Sequence, residues 1–545
     1  MKRTPIFLFC LAWLLVSCGG LSGLRLRSLI VSPGSASVAA GFSQQFSAVG
    51  KYSDGSTMPL TNVVWTTSDP TVATIDASGM ATTLKPGTVT ITASFALISK
   101  TALLDVGPPV PVTLAILPAN DKVFINAEPS TKLSSTLTYS DGSTSDVSAS
   151  SIWSDTNSFV ATVDGTGNVT PLRQGWTSVS ATNGTFSANT GFTVLAKPKY
   201  LYFTADQGQN AFTAIIDSST GQPQIGQPTP TGVMNQFYPC PTTDPLNQFL
   251  YVESATGGPD GSIVGGELQI YGIDPATGAL SVAAGSPFSS ASAGCVDFEP
   301  RVKFAFVTTQ VNSATFLVTY SRDANTGILT LLNSANLGAV PSRTAIDPLG
   351  TYLYFAASTN HFETTMGFGF SIDPSTGTLT PVPGSPFTLS NDGGTFTFHP
   401  SGNYLYMANL NGQSIDTYSL ARSTGALALV STIQTCINPT PLRFSPDGGF
   451  AYTTCSETSE HVFSPSLESF AVGPDGALTH LGSVSTPDLV SDITVDPSGQ
   501  FIYLSTAAPY ILFSTVNANG VAQTVETFAT QPDPSLSNVV VPGSN

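Results

Sequence analysis

The feature that most constrains the fold of this chain is a short turn motif, Asp-Pro-x-Gly, placed between two apolar strands. In Asp347-Pro348-Leu349-Gly350 these residues occupy the first, second and fourth corners of a type I turn, where their backbone preferences help most. Aromatic and apolar residues follow in Tyr352-Leu353-Tyr354-Phe355, and Ile346 precedes the turn. The motif therefore predicts a β-hairpin.

The same hairpin recurs about every 50 residues, a spacing typical of repeat architectures. The turn prolines are Pro245, Pro300, Pro348, Pro400, Pro446 and Pro497. Within most repeats a second hairpin signal follows, as in Asp274-Pro275-Ala276-Thr277-Gly278-Ala279-Leu280. Four strands in each repeat predict the blades of a β-propeller.

The two ends of the repeat region predict how the ring closes. The first repeat begins with a strand of the type that follows the turn, Lys199-Tyr200-Leu201-Tyr202-Phe203, and no strand of the preceding type comes before it. The chain ends with a strand of that missing type, Asn538-Val539-Val540-Val541-Pro542-Gly543. Together they restore one unit, which predicts seven blades closed by the C-terminal strand. Closure would also protect exposed strand edges. The alternative is an open β-solenoid with a frayed tail.

The amino-terminal segment predicts export. Lys2 and Arg3 precede an apolar run that is too short to span a bilayer as a mature helix. The run ends in Leu15-Val16-Ser17-Cys18, which resembles the bacterial lipobox, so residues 1–17 are expected to be a lipoprotein signal peptide and Cys18 the lipidation site. Ordinary cleavage beside an incidental cysteine is the alternative. Gly19 after Cys18 favours the outer membrane or cell surface by family analogy.

Charge and composition narrow the classes of partner. The formal net charge of the 545-residue chain is −17, which disfavours binding to nucleic acid or anionic lipid. Only 10% of residues are charged, while glycine and proline are abundant, as expected for an exported all-β protein with many turns. Contact with the membrane is therefore expected through the lipid anchor alone.

Residues 28–106 and 112–196 form two copies of one pattern. Tyr52-Ser53-Asp54-Gly55-Ser56 matches Tyr139-Ser140-Asp141-Gly142-Ser143, and Trp65 matches Trp153. Short alternating strands separated by turns predict a small β-sandwich for each copy, with the tryptophan in its core. The pattern closely resembles the bacterial Ig-like group 2 domain, which implies spacers or adhesion modules. The second copy departs from that pattern at Gly175-Trp176.

The propeller is expected to cover residues 198–545. Its repeated Asp-Pro-x-Gly-x-x-Leu-Tyr, with Asp-x-x-Thr-Gly-x-Leu in the outer hairpin, resembles the seven-bladed lactonase family named for 6-phosphogluconolactonase. The resemblance implies a propeller fold and, as one possibility, lactone hydrolysis, although the repeats themselves only build blades.

Counting back from each turn proline gives the candidate channel residues. The third and fifth positions before it are the more polar, which places them near the axis, while the second positions are mostly apolar and should pack between blades. Asp297, Arg343, Arg443 and Asp492 could bind and polarise an acidic or lactone substrate, with a carboxylate activating water. The alternative is that these charges pair across a wet channel.

Members of the lactonase family commonly have an Arg-His pair at the entry of an inner strand. Here Thr344 follows Arg343, which departs from that pattern. His399 replaces the usual aspartate inside a turn and is expected to be structural. His361, His461 and His480 are expected in loops or outer strands.

Four cysteines are expected to form disulfides, because an exported chain with an even number of them favours pairing. Cys240 and Cys295 occupy matching places on adjacent inner strands, and Cys436 and Cys455 flank one hairpin. No zinc-type spacing, phosphate loop or dinucleotide fingerprint is evident, so no metal and no cofactor are predicted.

The sequence thus predicts an all-β protein with two Ig-like β-sandwiches followed by a seven-bladed β-propeller closed by the C-terminal strand. The preferred function is a lipid-anchored surface protein whose propeller binds an extracellular protein, glycan or small molecule. A lactone hydrolase acting at the channel mouth is the alternative, and a purely structural surface component is a third class.

Overall fold

The structure is a computed structural model. It describes residues 24–125, 130–205, 210–226, 229–230, 236–257, 263–290, 295–311, 314–337, 340–359, 364–389, 394–409, 413–457, 463–506, 510–529 and 537–540. In these ranges the regular secondary structure is entirely β. The predicted signal segment and Cys18 lie outside the described residues.

The chain forms two compact units. One contains residues up to Ala115 together with Ser135–Val147, and the other contains Ile116–Ser134 together with Ser148–Asn545. The first repeat copy lies wholly in the first unit. The second copy contributes sheets to both units, and the propeller belongs to the second.

The first copy is a β-sandwich with its own core. Its strands are Leu26–Ser32, Ser35–Ala39, Ser43–Gln45, Ser47–Tyr52, Thr57–Pro59, Val64–Thr67, Ala73–Ile75, Met80–Thr83, Gly87–Phe95 and Ile98–Gly107. Alternating residues of the long strands are buried, among them Val89, Ile91 and Leu104. Trp65 packs against Phe46, with ring centroids 6.5 Å apart, so the tryptophan serves the core as predicted.

The second copy repeats the same sheets in the same strand order. Its strands are Pro111–Leu117, Asp121–Phe124, Thr131–Lys132, Ser134–Tyr139, Thr144–Asp146, Ile152–Asp155, Ala161–Val163, Asn168–Pro171, Gly175–Asn183 and Phe186–Leu195. Trp153 is buried and donates its indole N–H to the carbonyl of Ser148 at 2.9 Å. This hydrogen bond satisfies the polar group of a core tryptophan.

Seven antiparallel sheets follow in the described part of residues 200–540, and we number them as blades one to seven. From the innermost strand outward, blade one has Ser537–Val540, Tyr200–Ala205, Asn210–Ile216 and Pro223–Ile225; blade two has Gln236–Thr243, Phe249–Gly257, Ile263–Ile273 and Leu280–Val282; blade three has Val296–Phe298, Phe304–Val311, Ala314–Arg322 and Leu329–Asn336.

The remaining blades have the same layout. Blade four has Ala345–Ile346 with Val340–Pro341, then Tyr352–Thr359, Thr364–Ile372 and Leu379–Pro381; blade five has Gly394–Phe398, Tyr404–Asn409, Ser414–Leu420 and Leu427–Gln434; blade six has Arg443–Phe444, Phe450–Glu457, Phe463–Val472 and Leu478–Ser485; blade seven has Val490–Val495, Phe501–Thr506, Tyr510–Val516 and Ala522–Ala529. Short extra strands, Thr229–Pro230, Phe288–Ser290 and Phe387–Thr388, pair with the third strands of blades one, two and four.

The C-terminal strand completes blade one. Ser537–Val540 pairs antiparallel with Tyr200–Ala205, placing Val540 opposite Tyr202 and Ser537 opposite Thr204. It also lies between the innermost strands of blades seven and two. The predicted closure is therefore confirmed, and the open solenoid is excluded.

The turn motif works as the sequence predicted. The amide of Gly350 donates to the carbonyl of Asp347 at 2.8 Å, which closes the turn. The buried carboxylate of Asp347 accepts further hydrogen bonds from the amides of Thr351 and Tyr352 at 2.5 and 2.6 Å. One side chain thus satisfies several backbone donors at the start of the next strand.

Blades two and three depart from the glycine of this motif. Asn247 and Val302 take the fourth corner with φ of 55° and 60°. Asparagine tolerates this left-handed region, whereas a β-branched residue there is strained. The side chain of Val302 is buried, so the strained backbone accompanies burial of an apolar group.

A second apolar layer joins neighbouring blades. Phenylalanines two positions before the turn prolines pack on tyrosines of the preceding blade: Phe298 on Tyr251 at 4.8 Å between ring centroids, Phe398 on Tyr354 at 5.8 Å and Phe444 on Tyr406 at 5.0 Å. These contacts confirm that the second positions pack between blades.

Candidate functional site

A cavity of about 610 Å³ lies at the axis of the ring, among the innermost strands. Its walls include the third and fifth positions before the turn prolines: Thr242, Cys295, Arg343, Ala345, Thr395, Thr397, Pro441, Arg443, Asp492 and Thr494. These are the positions expected to face the axis. The lining combines hydroxyl groups with charged groups, so the cavity is suited to a polar ligand.

Two ion pairs lie at this cavity. Arg343, Arg443 and Asp492 line it, whereas Asp297 is not a lining residue and lies behind Arg343, with which it is paired. Arg343 of the blade four inner segment places Nε 3.0 Å from Oδ1 of Asp297 in blade three. Arg443 of blade six places one terminal nitrogen 3.0 Å from Oδ1 of Asp492 in blade seven. All four predicted candidate residues are therefore brought together, as two pairs across blade boundaries.

Each carboxylate has a further partner. Thr344 donates its hydroxyl to Oδ2 of Asp297, and the amide of Ile493 donates to Oδ1 of Asp492 at 2.9 Å. Both oxygens of Asp297 are thus engaged. Such charge-assisted bonds fix the orientation of a carboxylate.

The two arginines differ in their electrostatic surroundings. The negative charge of Asp297 raises the pKa of Arg343, whereas burial lowers the pKa of Arg443. Arg443 also feels the like charge of Arg343, which acts in the same direction as burial. The four side chains therefore form one balanced cluster. Both arginine side chains are partly exposed to solvent, Arg343 by 32% and Arg443 by 28%.

The histidines lie away from the ion pairs wherever the structure describes them. Nε2 of His399 is 2.9 Å from the carbonyl of Gly448 and Nδ1 is 2.8 Å from the hydroxyl of Ser401, so His399 joins the turns of blades five and six. Nε2 of His480 is 2.7 Å from Glu468 on the outer strands of blade six. His361 and His461 lie outside the described residues.

Two of the four cysteines form a described disulfide. Cys436 is bonded to Cys455 with 5.8 Å between Cα atoms, tying the connection into blade six to its second strand. Cys295 is also disulfide-bonded. The side chain of Cys240, its expected partner, lies outside the described residues.

The second unit also contains an interface that the sequence did not predict. Arg173, in the second Ig-like copy, donates to the carbonyl of Pro300 at 3.0 Å, and Asn157 donates to the carbonyl of Pro348 at 3.3 Å. Phe159 lies between Arg173 and Arg301, at 5.6 and 5.8 Å from ring centroid to guanidinium carbon. The copy thus packs on the turn end of the propeller. The short segment Ala196-Lys197-Pro198 was the only sequence signal for this closeness.

Within the described ranges, no group of three or more histidine, cysteine, aspartate or glutamate side chains is arranged to hold a metal ion. No helix long and apolar enough to cross a lipid bilayer occurs among the same residues.

Comparison with known families identifies both parts of the chain. Residues 26–95 and 113–193 match the bacterial Ig-like domain, group 2. Residues 407–535 match the family described as lactonase, seven-bladed β-propeller. The protein therefore combines two bacterial Ig-like group 2 domains with a lactonase-type β-propeller.

Part of the chain is similar to a curated protein. Ice-binding protein 1 of Shewanella frigidimarina is 38% identical over 175 residues, which is 31% of this chain and 19% of that protein. The chain thus spans about a fifth of the length of that curated relative.

Two solved structures resemble the chain in fold. The periplasmic gluconolactonase of Pseudomonas aeruginosa has a TM-score of 0.52 at 16% identity, covering 63% of this chain and 99% of that one. A putative 6-phosphogluconolactonase from Bacteroides uniformis has a TM-score of 0.51 at 15% identity, covering 63% and 100%. At this identity the likeness is one of fold.

Proposed function

We propose that this protein is a lipid-anchored binding protein of the cell envelope, whose Ig-like domains carry a propeller that binds a small polar ligand in its axial cavity. The observation that carries the proposal is the saturation of Asp297, which accepts from Arg343 on one oxygen and from Thr344 on the other. A general base needs a free oxygen within reach of its proton. Asp297 is therefore better suited to fixing Arg343 for a ligand than to proton transfer.

Hydroxyl groups indicate the chemistry of the ligand. Thr242, Thr395, Thr397 and Thr494 line the cavity, and a threonine hydroxyl can both donate and accept a hydrogen bond. A ligand rich in hydroxyl groups, with one anionic group for the partly exposed guanidinium groups, fits this lining.

Lactone hydrolysis is the second candidate, favoured by the match to the lactonase family and by the convergence of the two arginines on one cavity. In that case Arg343 and Arg443 would polarise the carbonyl, and Asp492, whose bonds from Arg443 and from the amide of Ile493 both fall on Oδ1, would activate water. No histidine among the described lining residues is available for this task.

Calorimetric titration of the full-length protein with gluconate and glucose, beside a hydrolysis assay on glucono-δ-lactone, separates the two candidates. We expect binding of gluconate without turnover of the lactone. The double variant Arg343→Gln with Asp297→Asn removes both charges while leaving polar side chains in place, and it should weaken gluconate binding by about tenfold or more, the effect of a charge-assisted hydrogen bond. Turnover that this variant abolishes would instead establish the hydrolase.

The anchor is a separate part of the proposal, supported by the lipobox-like Leu15-Val16-Ser17-Cys18. Cys18→Ser should release the protein from membranes or block its processing, because the acyl chains supply the membrane affinity. Unchanged fractionation and processing would refute the anchor while leaving the cavity's ligand untested by that experiment.

A further inference from the structure

The second Ig-like copy carries an aromatic residue that has no counterpart in the first copy. Trp176 follows Gly175 at the start of the strand Gly175–Asn183, and its side chain is half-buried. In the first copy the same strand begins Gly87-Thr88, so threonine stands where the second copy has tryptophan. The fold of the domain therefore does not require an aromatic side chain here.

A second difference accompanies the first. Ser178 pairs with Gly191 across the strands of the second copy, whereas Thr90 pairs with Leu103 in the first. A Cβ atom on Gly191 would lie 3.1 Å from Nε1 of Trp176, so the indole extends over the space that a side chain at this position would fill. The paired changes place an indole beside small residues on this surface of the domain.

This surface borders a groove of about 640 Å³ between the second Ig-like copy and blades four and five, all within the second unit. The Ig-like side contributes Trp176, Ser178, Ser180 and Asn189. The propeller side contributes Thr351, Asn403 and Arg422. Both asparagine side chains are exposed.

The groove offers the groups that recognise a sugar. An aromatic face packs against the apolar face of a pyranose, while amides and hydroxyls present both donors and acceptors to its hydroxyl groups. Arg422 is held by Asp347, and its other terminal nitrogen is 3.5 Å from the carbonyl of Ser401, so it adds a fixed donor edge. A few placed polar groups around one aromatic are typical of small-ligand sites.

We propose that this groove binds a neutral hexose-based oligosaccharide, with Trp176 as the stacking platform and Asn189 and Asn403 as hydrogen-bonding groups on opposite walls. The groove is lined by residues of two domains, the second Ig-like copy and the propeller. It is distinct from the axial cavity, because the two share no lining residue. An oligosaccharide bound here would attach the protein to a glycan surface independently of the channel ligand.

The test is calorimetric titration of the full-length protein with cellohexaose, maltohexaose and chitohexaose. We expect one of these to bind, and Trp176→Ala to weaken its affinity by tenfold or more, while Trp176→Phe retains most of it. Asn189→Ala and Asn403→Ala should each weaken binding by about three- to tenfold, the effect of one hydrogen bond.

Two control variants keep the outcome interpretable. Thr101→Ala changes the first-copy residue that corresponds to Asn189, since Thr101 pairs with Thr92 as Asn189 pairs with Ser180. It should leave binding unchanged, as should the channel variant Arg343→Gln with Asp297→Asn. Failure of all three oligosaccharides to bind, or binding that the two asparagine variants leave intact, would overturn the proposal without bearing on the channel.

Discussion

The hydroxyl of Tyr503 in blade seven donates a hydrogen bond of 2.6 Å to the carbonyl of Gly221 in blade one, across the seam of the ring. The same link joins other neighbouring blades: Tyr202 to Gly278, Tyr251 to Gly327 and Tyr406 to Gly476. Each tyrosine lies on the second strand of one blade, and each glycine lies in the outer turn of the next. The seam between the chain's ends is thus held by the same bond as the interior of the ring.

Tyr503→Phe should lower the stability of the propeller. The hydroxyl is buried, and its loss leaves the Gly221 carbonyl without that donor, which costs about 1–3 kcal/mol. Chemical denaturation, followed by the near-ultraviolet circular dichroism of the full chain, measures the change.

Tyr452→Phe is the matched control, because the Tyr452 hydroxyl is buried and has no hydrogen-bond partner among the residues that the structure describes. Its removal should be neutral or slightly stabilising, by at most about 1 kcal/mol. Equal losses in the two variants would show that the bond at the seam contributes nothing of its own.

Removal of residues 537–545 should open the ring. The deletion takes away the strand that pairs with Tyr200–Ala205, so blade one loses its innermost strand and two edges become exposed. Calorimetry should show loss of the propeller transition and a tendency to aggregate.

The first Ig-like domain supplies an internal reference for this deletion, since its core, from Leu29 to Val106, is built from its own residues. Its transition should persist at an unchanged temperature. A truncated chain that retains the propeller transition would contradict closure by the C-terminal strand.

The fold was accessible from sequence because its signals are local and repeated. The turn Asp347-Pro348-Leu349-Gly350 specifies a hairpin through backbone preferences alone, and six copies of it give the blade count once the two ends are joined. The residues that face the axis, at the third and fifth positions before each turn proline, could be predicted because side chains alternate between the two faces of a strand.

The geometry of the site was less accessible. That Arg343 pairs with Asp297 and Arg443 with Asp492 depends on the curvature of the ring, which sets the distance between blades. The packing of Phe159 and Arg173 on the turn end depends on the orientation of two domains, which no local pattern encodes.

Gly520→Ala should destabilise blade seven. Gly520 has φ of 77°, and a Cβ atom there would lie 2.0 Å from Cδ1 of Phe450, which packs across the boundary with blade six. Backbone strain of about 1–2 kcal/mol adds to overpacking of about 1–3 kcal/mol. The midpoint of denaturant unfolding measures the sum.

Gly384→Ala separates these two effects. Gly384 has φ of 86°, but no atom lies within 4 Å of the added Cβ, so only the backbone strain applies. The loss should therefore be smaller, about 1–2 kcal/mol. A loss as large as that of Gly520→Ala would mean that the close contact with Phe450 relaxes at no cost.

The turn histidine should make the propeller sensitive to mild acid. Burial lowers the pKa of His399 from the ordinary value of 6.5. Its hydrogen bonds indicate the neutral tautomer, because Nδ1 accepts from the amide of Ser401 at 3.1 Å while Nε2–H donates to the carbonyl of Gly448 at 2.9 Å. A proton on Nδ1 would remove that acceptor. The aromatic rings of Tyr404, Tyr406 and Phe444 surround the imidazole. The hydrogen bond to Gly448 and the negative charge of Asp447 act to raise the pKa of His399, but burial outweighs both.

The sign of the effect follows from this lowered pKa. Above pH 6.5 the imidazole is neutral in both states, so His399 adds no pH dependence. As the pH falls below that value, the unfolded chain binds a proton that the folded chain resists, and stability decreases until the lower folded pKa is passed. We expect the melting temperature of the propeller to fall between pH 7.5 and pH 5.5 by more in the unaltered protein than in His399→Asn, which keeps an acceptor oxygen but does not titrate in this range. His480→Gln retains His399 and should keep the acid sensitivity attributed to it. If His399→Asn loses stability over this interval as much as the unaltered protein does, the buried turn imidazole is not its source.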